Sequence, residues 1–587
     1  MMDYHMHIAA LSRMSAFDPS DADDSGKPLI EALQANPDIA RLGALVDHLM
    51  MHSDSDGKEN ATLEDAARIW AAGKGAYADL GDIQAQLERA LGQDEPADAL
   101  EVVNSAMARL RTVYGHLRDT RAEMGGLKDR LGSMDHLRPH PRQNDAPEPS
   151  WDWGNRFIGR RSRAFSGLLR DKANSERTRA FAAGASSNHI CNGLGSAYLV
   201  DVVGGPRRLH RYRDRLARNS LGAHVHDALG TPTTSQLADS IDQGGTLSAL
   251  PDDIGELMRT CLAGAYADRP LPDLDAGFRS LVKHLRLLDQ FERPDLPSPP
   301  NAIWSAYGPS PTDTMNVLAN LKPQEWGVGG GIDENGQPSA SGMDGASEQA
   351  SGDACGLLLL LVIVIVVAGL IICVGTLIAE GKCSLEGVIE AFGSDNDPDP
   401  TDIGPTDVTE AGLQVLRKPE HAAHLLSEIY NARLVMWQAF EASRAYMTIT
   451  GVLYPDELHR RSPVYSQFLE TRGGGWTLHL SEENPKQRYH LFPDTELEII
   501  EGVTRPRSSL FPARTSPMDL LSLEGKFSIP RMFWLSLNPS TQFDVAAPRN
   551  IDLDADREPW GSCWTVSPGC SIHDRPLSVR VLAFDEL

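Results

Sequence analysis

One stretch limits the architectures open to this chain more than any other. Residues 354–379, ACGLLLLLVIVIVVAGLIICVGTLIA, carry no charged side chain and are closed by Asp353 and Glu380. Wound as an α-helix at about 1.5 Å per residue, the segment exceeds the roughly 30 Å hydrocarbon thickness of a bilayer. It predicts one transmembrane helix, and so a single-pass membrane protein. Lipid surrounds an apolar cylinder without specific partners, whereas a soluble core seldom encloses one this long on every side. The competing reading is a buried core helix, or a buried strand pair in the β-branched block 362–367 broken at Gly369. Lys382 is the nearest basic residue on either flank, which assigns no sidedness.

The flanks of the run set the domain boundaries. Residues 327–353 are rich in Gly, Ser and acids with almost no apolar content, the composition of a flexible acidic tether, and residues 393–407, GSDNDPDPTDIGPTD, form a second acidic linker. The chain thus divides into residues 1–326, the tether, the apolar span, the linker and residues 408–587. A length of 587 residues is more than one hydrophobic core usually serves. The formal charge of −26 repels phosphates over most of the surface and argues against nucleic acid as a partner. Seven cysteines, an odd number without CxxC spacing, suggest neither a disulfide framework nor a zinc finger and predict a reducing compartment for the soluble parts. The start, MMDYHMHIAALSRM, lacks the basic and apolar regions of a secretory signal.

The first part reads as α-helical. Leu100, Val103, Met107, Leu110, Val113, Leu117, Met124, Leu127 and Leu131 keep the three/four spacing of one helical stripe, weakened at Gly125-Gly126. Ile254, Leu257, Cys261 and Ala265 predict a second helix ending before Pro270. Phe278, Leu281, Val282, Leu285 and Leu288 predict a third that stops before Pro294. Residues 135–153, with their prolines, read as an internal loop of this domain. After the linker, residues 421–443 predict a helix. The weakly alternating runs WTLHL, LEII, KFSI and LSVRVLAF predict a small α+β or loop-rich C-terminal module. His421 and His424 lack the acid of an HExxH motif and read as a solvated helix start. RGGGW and GVGGG lack the context of a phosphate loop, and no GxSxG nucleophile elbow is present.

Residues 179–222 read RAFAAGASSNHICNGLGSAYLVDVVGGPRRLHRYRDRLARNSLG. A helix of small residues running into Val203-Gly204-Gly205-Pro206-Arg207 and His210 resembles the zinc-dependent phospholipase C family. NPDIARLGAL, LPDDIGELM and FRSLVKHLRLL are weaker echoes of it, and His5 and His7 resemble the His-containing start of some relatives. The resemblance implies a multi-helix domain holding a zinc cluster on His, Asp and Glu, which polarises a phosphate and activates water. Aligned through the glycines, however, the ligand-type positions of the first helix fall on Asn188, Asn192 and Ser196, and the later acids fall on Arg218 and Gly222. Amides, a hydroxyl and a guanidinium do not replace imidazole and carboxylate as zinc ligands.

The expectation is therefore a catalytically degenerate, membrane-anchored phospholipase C-like protein that needs no metal and binds lipid headgroups or protein partners. The alternative is an active zinc-dependent phosphoesterase with a relocated ligand set, for which His5, His189, His210 and His224 are the candidates. A third reading is an injected or pore-associated factor whose apolar helix inserts on triggering. Arg208, Arg211, Arg215 and Arg218 fall on one helical face. They read either as a platform for phosphate or headgroup oxygens or as a face paired with carboxylates from elsewhere.

Overall fold

Residues 176–203 are small or apolar with few breaks, and the helix they form, α9 (Glu176–Val203), is buried on every side from Ala180 to Gly195. A helix without a polar face belongs in the middle of a bundle. The structure, a computed structural model, describes residues 2–92, 97–134, 151–159, 162–203, 211–300, 408–449, 451–455, 497–500, 503–506, 517–523 and 528–537. These are mainly α-helical, with sixteen α-helices and one two-stranded hairpin. Around α9 pack α1 (Tyr4–Met14), α2 (Lys27–Ala35), α3 (Pro37–Ala44), α8 (Ser162–Lys172), α10 (Arg211–Leu229) and α12 (Asp252–Ala265).

Helices α3 and α9 cross at backbone contact. A Cβ built on Gly184 would overlap the carbonyl of Ala40, and one on Gly43 would overlap the carbonyl of Phe181. The two backbones touch through paired glycines, and no larger residue fits at either position. The chain start is threaded in the same way. Met2 occupies the space a side chain at Gly195 would need, and the Asp3 carboxylate occupies the space of one at Gly222.

Helix α4 (Val46–His52) follows α3 directly and packs on α7 (Trp153–Gly159) and α13 (Leu274–Leu288). Helices α5 (Lys58–Ala90) and α6 (Ala99–Gly132) form a long hairpin, tied by Arg109–Asp79 at 2.6 Å and Arg130–Asp65 at 2.6 Å. The stripe expected over 100–131 is this helix. It runs unbroken through Gly125-Gly126, since two glycines cost only about 1 kcal/mol each in a helix that has a partner along its length. The helices expected before Pro270 and Pro294 are α12 and α13. Between them and α10 lies α11 (Thr234–Ile241), opened by a Thr233–Gln236 capping box.

Helices α14 (Glu410–Leu416) and α15 (Pro419–Ile449) come after the second linker, yet α15 lies on α5. Phe440 covers Gly73 and stacks edge-on against Trp70, and Arg433 lies over Tyr77. Helix α16 (Ile529–Leu537) packs on α9 and α1. One apolar core therefore joins helices from both sides of the tether. Of the four short runs expected to alternate, LEII is strand β1 (Leu497–Ile500), paired antiparallel with β2 (Val503–Pro506). KFSI is different: Ile529 opens α16, because the apolar residues Ile529, Phe533 and Leu537 recur at four-residue spacing and bury together. WTLHL, LSVRVLAF, the tether, the linker, residues 135–150 and the apolar run 354–379 lie outside the described residues. Among the described residues, no helix is long and apolar enough to cross a membrane.

Candidate functional site: a buried carboxylate and the cleft beside it

Asp47 stands in the first turn of α4, fully buried and aimed at α9. Its Oδ1 accepts from Asn188 Nδ2 at 2.7 Å and from the His48 backbone N–H at 2.8 Å. Its Oδ2 accepts from Asn192 Nδ2 at 2.8 Å and lies 3.3 Å from His7 Nε2. The amide orientations are fixed by their other partners. Asn188 Nδ2 also donates to the Ala44 carbonyl at 2.7 Å, and Asn192 Oδ1 accepts the Met2 N–H at 2.6 Å. Burial alone would raise the Asp47 carboxyl, but His48, His7 and the Asn192 amide hold it well below the usual carboxylate range. Burial opposes a charge on His7, yet Cys191 and Asp47 together raise it to about 10, so it is an imidazolium at neutral pH. Burial pushes His48 well below its ordinary value and keeps it neutral.

His7, Asp47 and His48 are all buried, with one potential ligand atom from each within 4.8 Å of the others, the one such group among the described residues. A zinc ion of the kind the family resemblance implies does not fit them. A carboxylate has about four lone-pair positions, and four N–H groups already occupy those of Asp47. His48 Nε2 lies 3.1 Å from the Met2 carbonyl, which only accepts, so that nitrogen carries a proton. His7 Nε2 spends its own N–H on Asp47. Zinc needs lone pairs, and those of Asp47 and of both Nε2 atoms are already committed, which leaves only Nδ1 of the neutral His48. Asn188 and Asn192, where the sequence alignment expected ligand-type residues, each donate an amide hydrogen bond to the carboxylate, whose charge is met by His7.

The four histidines considered for a relocated set do not converge with this group. His5 Nδ1 lies 3.0 Å from Thr231 Oγ1, whose other side meets His226 Nδ1 at 3.1 Å. His189 lines a small apolar recess with Phe157, Ile158 and Phe165. His224 is half-buried on α10, and His210 lies outside the described residues. Of the arginine face, Arg208 also lies outside them, and Arg211 begins α10. Arg215 donates to Glu59 at 2.5 Å and to the Gly451 carbonyl at 2.8 Å, and Arg218 donates to Asp214 at 2.6 Å. Both side chains are largely buried, 16% and 9% exposed. Of the two readings of this face, these two residues follow the one that pairs arginine with carboxylate.

Arg215 and Arg218 nonetheless line a cleft of about 600 Å³ next to the Asp47 network. Its inner wall holds Tyr4, His48, His52, Glu59, Asn60, Asn219, His284 and Tyr454. Tyr4 stacks on His48 at 4.0 Å, and the His52 and His284 rings lie 5.0 Å apart. The strap at 451–455 closes one end: Asn219 Nδ2 donates to the carbonyls of Gly451 and Leu453, and the Tyr454 hydroxyl donates to Asp3. Asp47, His48, His52, Glu59, Asn60 and His284 escape a sequence-only reading. The visible signal is in VDHLMMH, where Asp47 precedes a His48/His52 pair at i, i+4 on one helical face.

The buried imidazoles give stability a pH optimum. The folded chain keeps a proton on His7 up to about 10, whereas the unfolded chain releases it near pH 6.5. Stability therefore falls as pH rises through that window. Below it the sign reverses. Burial, and for His52 also the neighbouring His284, pushes His52 down to about 3 and His284 to about 4, so the unfolded chain takes up protons first. Urea unfolding midpoints are expected to peak near pH 6.5–7 and to drop at both pH 5 and pH 9.

Compared with models of protein families, with curated proteins and with solved structures, the chain gave no match.

Proposed function

We propose that this chain is a membrane-anchored, phospholipase C-like helical protein that has lost hydrolysis and kept binding, and that the cleft lined by Arg215 and Arg218 holds a phospholipid headgroup. The apolar run 354–379 supplies the anchor in this reading, and residues 179–222 carry the likeness to the enzyme family. The observation that supports it is the Asp47 network, in which Asn188 and Asn192 replace ligand with amide and close the carboxylate to metal. A polyvalent phosphate-activating centre is then missing from the place where the family would keep one.

The cleft has the size of a small-molecule site rather than of a protein groove. Its charged lining is nearly balanced: five carboxylates (Asp3, Asp54, Asp56, Glu59, Asp152) stand against four cations (Lys58, Arg130, Arg215, Arg218). That balance suits a headgroup carrying both signs better than a bare phosphate. With the soluble headgroups glycerophosphocholine and glycerophosphoethanolamine as calorimetric probes, at least one is expected to bind saturably. Arg218→Lys is expected to bind it about tenfold more weakly, since lysine keeps the charge but loses the planar fork. Phosphatidylcholine and phosphatidylethanolamine vesicles incubated with the chain and added zinc are expected to release no phosphorylated headgroup. Absence of binding by both probes, or chelator-sensitive release, would overturn the reading.

One observation favours the alternative of an active phosphoesterase: the ligand atoms of His7, Asp47 and His48 lie within 4.8 Å of one another. Zinc that displaced both asparagine amides would produce release abolished by Asp47→Ala.

A further inference from the structure

Beyond α13 the chain continues as FERPDLPSPP, residues 291–300, which form neither helix nor strand and lie against both α5 and α15. Each proline fixes φ near −65° and has no N–H to donate, so the prolines at 294, 297, 299 and 300 hold the segment extended. Phe291, Pro297 and Pro300 are buried and Pro294 is half-buried, while the two residues in each interval between 294, 297 and 300 are exposed. A buried face that recurs every third residue is that of a polyproline II helix, which has three residues per turn.

The two helices meet the backbone of this segment with side-chain donors. From α5, Trp70 Nε1 donates to the Glu292 carbonyl at 3.0 Å, Tyr77 Oη to the Asp295 carbonyl at 2.6 Å and Gln84 Nε2 to the Ser298 carbonyl at 3.4 Å. From α15, Arg444 donates to the Phe291 carbonyl and Trp437 Nε1 to the Pro294 carbonyl at 3.2 Å. Arg433 donates to Gln84 Oε1 at 3.2 Å, which turns the Gln84 amide N–H groups toward the segment. On each helix the donors stand seven residues apart, and the carbonyls they meet stand three apart. Seven helical residues advance about 10.5 Å and three polyproline II residues about 9.3 Å, so the two spacings run nearly in step. The mismatch accumulates along α5, where the last bond is the longest.

Aromatic grooves whose N–H and O–H groups reach backbone carbonyls are a recurrent means of binding proline-rich ligands, because the extended ligand loses little entropy on docking. We propose that the groove between α5 and α15 is a recognition site for proline-rich peptides in the polyproline II conformation, with residues 291–300 as its tethered ligand. The contacts go to carbonyls and proline rings, so a free peptide with prolines at the same three-residue spacing replaces the chain's own segment. None of these residues lines the cleft beside the Asp47 network, and the site stands independently of headgroup binding.

The test uses the full chain with residues 292–300 replaced by glycine and serine, titrated calorimetrically with a synthetic peptide of residues 292–300. Saturable binding is expected, about tenfold or more tighter than to the unaltered chain, whose own segment competes at high effective concentration. Pro294→Gly, Pro297→Gly and Pro300→Gly made together in the peptide are expected to weaken binding about tenfold or more, since glycine restores the conformational freedom that proline removes. Leu296→Ala and Ser298→Ala in the peptide, both at exposed positions, are expected to leave it unchanged. Tyr77→Phe in the altered chain removes only the hydroxyl and is expected to weaken binding about fivefold, the worth of one hydrogen bond. If the altered chain does not fold, the unaltered chain labelled with 5-fluorotryptophan is followed by fluorine magnetic resonance. Excess peptide is then expected to shift the Trp70 and Trp437 signals, identified through their Trp→Phe variants, and to leave the other tryptophans in place. Absence of binding, binding indifferent to the three prolines, or Trp70 and Trp437 signals that do not move under excess peptide would overturn the proposal.

Discussion

Gly184→Ala is expected to cost about 3 kcal/mol or more and to lower the melting temperature by about 5–10 °C, or to leave the chain insoluble. A methyl group at this position would overlap the Ala40 carbonyl, and the obstacle is backbone rather than the yielding end of a side chain. Helices α3 and α9 would have to separate, and α9 carries Asn188 and Asn192. Gly43→Ala meets the Phe181 carbonyl across the same contact and is expected to behave alike. The internal standard is Gly115→Ala in α6, where an added Cβ meets nothing within 4 Å. There the better helix propensity of alanine is expected to stabilise by about 0.5–1 kcal/mol. Thermal unfolding followed by circular dichroism reads all three, and equal effects at Gly184 and Gly115 would refute the close crossing.

Asp47→Ala is expected to destabilise by about 3–5 kcal/mol, the loss typical of removing one member of a buried charge pair. Four N–H donors lose their acceptor at once: two asparagine amides, the His48 backbone and His7. Asp47→Asn is no rescue, because its own N–H groups would face the amide N–H of Asn188 or Asn192. The pH profile separates this role from simple packing. His7 keeps its proton up to about 10 partly because of Asp47, so the alkaline decline in stability is expected to shrink in Asp47→Ala while the acid decline from His52 and His284 remains. An unchanged alkaline limb in chemical unfolding at pH 7 and pH 9 would show that the two residues are not coupled.

The elements whose evidence is local were legible in the sequence. The apolar stripes of α6, α12 and α13 repeat every three or four residues, and each is a helix at nearly the expected place. The site was half legible. Asn188 and Asn192 stood out because the resemblance led to them, and they do meet at one buried point. What they meet was not visible, since Asp47 lies 141 residues from Asn188 along the chain, and VDHLMMH marks a polar helical face without saying what packs against it. The arginines show the opposite limit. A helical wheel places Arg215 and Arg218 on one face, but only the fold brings Glu59, at the start of α5, to the first, and Asp214 one turn earlier takes the second. Gly222 was read as a missing acid, and it is small because the Asp3 carboxylate comes in from the chain start to fill its space.

The claim on which the rest depends is that the lone pairs around Asp47 are already used. An anomalous difference map at the zinc edge, from crystals grown with excess zinc, tests it most directly. No peak is expected within about 3 Å of the Asp47 carboxylate. A peak bonded at about 2.0–2.2 Å to His7, Asp47 and His48, with the Asn188 and Asn192 amides turned away, would contradict it.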